Sequence, residues 1–154
     1  MAQLEKLAEE FLSKERIAVA GVSRSGDSAA NGIYDKLKTT GHKVFAVNPN
    51  ATEINGDSCY PDLQSIPEGV DGVVIVTSPE VTKKIVGQCI QAGVPRVWMH
   101  RSFGNSVSEE AVTLCVEHGI EVIAGGCPMM FQEPVDFGHK CMKWWFRATG
   151  SLPR

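Results

Sequence analysis

The 154-residue chain has the length of one domain, and a composition that is 43% hydrophobic and 21% charged is that of a globular protein, which excludes a disordered, collagen-like or coiled-coil chain. With 15 Lys and Arg against 18 Asp and Glu the net charge is -3, so no basic surplus draws the protein to nucleic acid. No apolar run is long enough to span a bilayer.

In chain order, residues 1–15 read as an amphipathic helix packed on the domain, because Leu4, Leu7, Ala8, Phe11 and Leu12 recur at helical spacing. Acidic residues interspersed with lysines there match neither a secretory signal nor a transit peptide, and a cytoplasmic location is the expectation. Residues 17–22 form an apolar run suited to a strand buried on both faces. Asn31 is expected to cap the next helix, with Ile33 and Leu37 facing inward and Gly41 ending it. A second strand follows at 44–47. The turn-rich stretch 48–69 holds a short strand at 58–60 and one helical turn at 62–65.

Residues 73–76 form the next clear strand. Ser78 then offers an N-cap and Pro79 a first helical position, and Val81, Ile85 and Cys89 mark a buried face up to Gly93. After a strand at 97–99, Ser106 and Glu109 predict a capping box, Val107, Ala111 and Cys115 repeat every four residues, and Gly119 precedes a strand at 120–124. Alternating strands and helices predict a single α/β domain, a Rossmann-like doubly wound parallel sheet ordered 3-2-1-4-5-6. It spans residues 16–130, between the N-terminal helix (1–15) and a C-terminal extension (131–154). That extension is basic and aromatic, with Lys140, Lys143, Trp144, Trp145, Phe146 and Arg147. The tryptophans are read as packing residues, at a homodimer interface. The 5 cysteines are widely spaced, without a CxxC pair, and are expected to be reduced thiols that bind no metal.

Ligands of an open parallel sheet bind beyond the carboxyl ends of its strands, where the strand order reverses. After the first strand, the Gly21-to-Gly32 segment combines glycines, serines and a helix N-terminus, which suits a phosphate. It is neither GxGxxG nor a P-loop. At the end of the second strand Asn48-Pro49-Asn50 stands where an NAD site carries an acid, which counts against NAD; Arg24 leaves NADP open.

In sequence order, Val19-Ala20-Gly21-Val22-Ser23, Val47-Asn48-Pro49, Cys59-Tyr60-Pro61-Asp62-Leu63, Ile66-Pro67, Val70-Asp71-Gly72, Gly93-Val94-Pro95-Arg96-Val97-Trp98-Met99, Ser108-Glu109-Glu110-Ala111 and Cys127-Pro128 carry a family resemblance. The series resembles the stand-alone CoA-binding domain family, which is similar to the CoA-binding domain of the succinyl-CoA synthetase alpha subunit and of NDP-forming acyl-CoA synthetases.

The resemblance implies that Gly21, Ser23, Arg24, Ser25 and Gly26 cradle the CoA phosphates. Asn48 and Pro49 would lie by the adenosine, and Thr77, Ser78, Pro79, Met99 and His100 along the pantetheine. Relatives often place Lys or Arg after the Val-Asn-Pro sequence; this chain departs there with Asn50. In the synthetases the reaction passes through a phosphorylated histidine of another domain. The expectation is therefore non-enzymatic binding of CoA or acyl-CoA, with no catalytic residue. The alternatives are a small NADP-dependent oxidoreductase and an interaction domain with a vestigial nucleotide site. His42 and His118 are expected at helix ends and the surface; Cys127 is read as a small buried side chain.

Overall fold

The computed structural model describes residues 2–153. The N-terminal apolar stripe forms α1 (Ala2–Leu12), which buries Leu4, Ala8 and Phe11. The Phe11 ring lies against the backbone of Gly72, where an added Cβ would meet Cε2 at 2.8 Å, so this helix packs tightly on the sheet.

The strands β1 (Arg16–Ala20), β2 (Lys43–Val47), β3 (Glu53–Ile54), β4 (Asp57–Tyr60), β5 (Gly72–Ile75), β6 (Arg96–Met99) and β7 (Glu121–Ala124) form one seven-stranded sheet, ordered β3-β4-β2-β1-β5-β6-β7. All are parallel to their neighbours except β3, which pairs antiparallel with β4 through the Asn55-Gly56 turn. Counting β4 as the third strand, the parallel order is the predicted 3-2-1-4-5-6. The addition is the two-residue β3, whose turn has positive φ at both Asn55 (50°) and Gly56 (85°), as a two-residue hairpin loop requires.

The helices are α2 (Ala29–Thr39), α3 (Pro79–Ala92), α4 (Glu109–Glu117) and α5 (Phe137–Thr149), with a 3-10 turn at Pro128–Met130. Strand side chains alternate between two core layers, which explains the unbroken apolar runs. Ile17 and Val19 join α1 and α2 on one side, while Ala18 and Ala20 join α3 and α4 on the other. Trp98 fills the first layer. Its ring meets Phe11 edge-on, with centroids 5.5 Å apart, and its Nε1 donates to the Gly125 carbonyl at 3.0 Å.

Several local expectations are corrected. The N-cap of α2 is Ser28, whose Oγ accepts from Asn31 N–H; Asn31 lies inside the helix and is buried. The N-cap of α4 is Ser108 rather than Ser106, because Ser106 is engaged elsewhere: its Oγ accepts the Thr77 N–H at 3.0 Å and its carbonyl accepts the Thr82 hydroxyl at 2.7 Å. On α3 the inward residue is Thr82, leaving Val81 exposed. Residues 62–65 form a turn closed by Asp62 Oδ1, which accepts from the N–H and hydroxyl of Ser65, and no helix. On α5, Met142 and Phe146 pack on the core, while Trp144 and Trp145 are exposed. Among the described residues no helix is long and apolar enough to cross a membrane.

Candidate functional site

Strand order reverses at β1, whose neighbours β2 and β5 connect in opposite directions across the sheet. Three loops converge at its carboxyl end. Gly21 N–H donates to the Val47 carbonyl at 3.2 Å, and the Asn48 amide donates to the Val22 carbonyl at 2.8 Å. From the other side the Val76 carbonyl lies so near Gly21 that an added Cβ would stand 2.0 Å from it, and Gly21 has φ +104°. Gly21 therefore has no room for a side chain, because the β5 loop already occupies the space it would need.

Beyond Gly21 the loop is held by Asn31. Its Oδ1 accepts the Ser23 N–H at 2.8 Å and its Nδ2 donates to the Ser23 carbonyl at 2.9 Å, clamping both backbone groups of one residue. Sequence reasoning missed this role, because a cap and a clamp use the same residue type. The loop tip stays open. Ser23 and Ser25 hydroxyls lie 2.7 Å apart, Ser25 donates to Asp27 at 2.5 Å, and Gly26 turns at φ +79° with no atom within 4 Å of an added Cβ. Arg24 is exposed and forms no ion pair or hydrogen bond among the described residues. The first-turn N–H groups of α2, which lack intrahelical acceptors, begin just behind.

After β2, both ends of the Asn48 amide are engaged, since its Oδ1 also accepts the Asn50 N–H at 2.8 Å; Pro49 and Asn50 are exposed. After β5 and β6, Thr77, Ser78 and His100 line a crevice of about 460 Å³ with Ala29, Ser102 and Phe103. Pro79 begins α3 beside it. Met99 immediately precedes His100, with its side chain fully buried in the core. The β6–α4 loop residues Ser102 to Ser106 are the main lining that the predicted set omitted.

His100 is buried, and its Nε2 lies 3.3 Å from Ser102 Oγ. Burial, and secondarily the charge of His139, lowers its pKa to about 4, so the ring is neutral at pH 7. Burial likewise raises the Cys127 thiol to about 11. Cys59, Cys89, Cys115 and Cys127 are buried free thiols, and Cys141 is an exposed one. His118 caps α4 at the surface, whereas His42 is half-buried and bridges Lys14 O (2.8 Å) and Gln132 Oε1 (3.0 Å). Among the described residues no group of three His, Cys, Asp or Glu side chains converges as metal ligands. Two larger hollows lie away from the loop convergence, one between α1 and α5 and one on the outer face of α5. Loop convergence at the strand reversal, rather than size, marks the candidate site.

A family model described as a CoA binding domain matches residues 15–133, from the start of β1 past the 3-10 turn. The chain belongs to the CoA-binding domain family. Among curated proteins it is 30% identical over 121 residues to an ADP-forming acetate–CoA ligase I of Archaeoglobus fulgidus, covering 72% of this chain and 17% of the ligase. The chain thus spans about a sixth of the length of that enzyme, which matches it as one domain. Among solved structures, a hypothetical protein from Pyrococcus horikoshii superposes with TM-score 0.79 at 30% identity, covering 85% of this chain and 91% of its own. A dinucleotide-forming acetyl-coenzyme A synthetase 1 from Candidatus Korarchaeum cryptofilum, in complex with phosphate and ADP, superposes with TM-score 0.62 at 28% identity, covering 71% of this chain and 25% of the synthetase.

Proposed function

We propose that this CoA-binding domain holds CoA or acyl-CoA in the crevice at the carboxyl ends of its parallel strands, as a binding module without chemistry of its own. The observation that carries the reading is the convergence of the β1, β2 and β5 loops at the strand reversal, inside the segment the family model matches. In this reading Gly21, Ser23, Arg24, Ser25 and Gly26 meet the phosphates, Asn48, Pro49 and Asn50 lie toward the adenosine, and Thr77, Ser78, Pro79, Met99 and His100 follow the pantetheine. Arg24 has the free fork such a role needs.

Asn48 spends both ends of its amide on the protein and offers no carboxylate to a ribose, which disfavours NAD; the NADP reading is weaker because the family model that matches residues 15–133 is that of a CoA binding domain. Binding without chemistry is supported by two observations: the Cys127 thiol is packed in the core and held protonated by burial, and His100 is only 3% exposed. The test is thermal unfolding with equal concentrations of CoA, 3'-dephospho-CoA and NADP. A ligand bound only by the folded state stabilises it by about 2.7 kcal/mol at a hundredfold excess over Kd, and CoA should raise Tm most. A larger rise with NADP overturns the reading.

A further inference from the structure

We propose that the crevice takes acyl-CoA with a medium or long hydrocarbon chain, and that this chain passes over Phe103 onto the outer face of α5. The inference rests on the CoA reading above and names the acyl class. Phe103 is the link, because it lines two hollows at once. On one side it borders the crevice with Thr77, Ser78 and His100. On the other it borders a hollow of about 730 Å³ formed with Phe137, Trp144 and Trp145. Its ring is 89% exposed and meets Phe146 edge-on with centroids 6.3 Å apart.

The chemistry of the surface changes along this path. Near α3 and the β6–α4 loop it carries Thr77, Ser78, Ser102, Asn105 and Ser106, hydroxyls and an amide suited to the amide-bearing pantetheine. Past Phe103 it is aromatic, with Lys140 as its charged residue. A CoA thioester has the same polarity order, from phosphate through amide to hydrocarbon. Helical geometry explains why α5 can supply the apolar end. At 100° per residue, Phe137, Cys141, Trp144, Trp145 and Ala148 share one arc, and Met142 and Phe146 share the opposite one. The second arc packs on the core while also bordering the hollow, whereas Trp144 is 68% and Trp145 59% exposed. From Phe137 to Trp144 the helix rises roughly 10 Å, room for a chain of about eight carbons.

The experiment titrates the full chain with CoA, acetyl-CoA, butyryl-CoA and octanoyl-CoA below micellar concentrations, reading heat and tryptophan emission. A methylene fully removed from water tightens binding about fourfold; on this half-open face octanoyl-CoA is expected to bind at least tenfold more tightly than acetyl-CoA, with a blue shift in emission. Trp144→Ser and Trp145→Ser alter exposed side chains of α5 outside the crevice, so both should fold normally, bind CoA as wild type does and lose most of the chain-length preference. Equal affinity of wild type for all four ligands overturns the proposal while leaving CoA binding intact. A preference that survives both substitutions puts the chain elsewhere and also overturns it. Binding of none of the four overturns the CoA reading itself, and this inference with it. If the affinities are equal and the variants convert a dimer to a monomer, the face is a contact between copies and the proposal fails.

Discussion

Gly21 and Gly26 stand in one loop, both at positive φ, yet different surroundings constrain them. At Gly21 a methyl group would overlap the Val76 carbonyl at 2.0 Å, a backbone atom that a rotamer change cannot move. At Gly26 a methyl group would meet nothing within 4 Å, so only the backbone preference opposes it. Left-handed backbone costs about 1–2 kcal/mol for a residue with a Cβ, and overpacking adds about 1–3 kcal/mol. Gly21→Ala is therefore expected to destabilise the fold by roughly 2–5 kcal/mol and Gly26→Ala by about 1–2 kcal/mol, as read from urea midpoints at constant m. Equal costs for the two would mean that the β5 loop yields to the new side chain.

At the scale of elements, α2 is joined to the β1 loop through its third residue. Asn31 is 2% exposed and makes the clamp on Ser23, while Ser28 donates to its Oδ1 at 2.5 Å. Asn31→Ala leaves the Ser23 N–H and carbonyl without these partners, a loss of about 1–3 kcal/mol. If the CoA reading holds, CoA affinity should fall as well, because Arg24 and Ser25 hang from the released residue; denaturation and titration on the same sample separate the two effects. Unchanged stability would mean that the loop holds itself. This clamp also marks what the sequence made legible. Strands β1, β2, β5, β6 and β7 announce themselves by largely apolar runs of three to six residues, and the site loops follow from the strand ends. The role of Asn31 does not, because its partner is fixed by how the loop folds back. Ser106 misleads for a similar reason: Glu109 three residues on completes a local capping pattern, but Ser106 is taken by Thr77 and Thr82 across the crevice. The facing of α5 was illegible because the helix is apolar on two arcs, and periodicity cannot choose which of them the core covers.

For the whole molecule, acid should act in two separate windows. Asp57 and Asp136 have pKa values below the ordinary 3.8, Asp57 chiefly through its hydrogen bond from Lys38 and Asp136 chiefly through the His139 N–H, so the stability they add is lost only at lower pH. His100 acts earlier. In the unfolded chain it takes a proton as pH falls through about 6.5, whereas in the fold burial delays protonation to about pH 4. Between these values the unfolded state holds more protons, so stability is complete above about pH 6.5 and falls as pH is lowered, by up to about 1.4 kcal/mol per pH unit and about 3 kcal/mol in all. Urea unfolding at pH 7.5 and pH 5 reads this window before the carboxylates contribute. Wild type should lose stability between the two, and His100→Gln, which keeps a hydrogen-bonding group toward Ser102 but cannot titrate, should lose much less. Equal losses in both proteins would assign the acid sensitivity to other groups and leave His100 free to take its proton in the folded state.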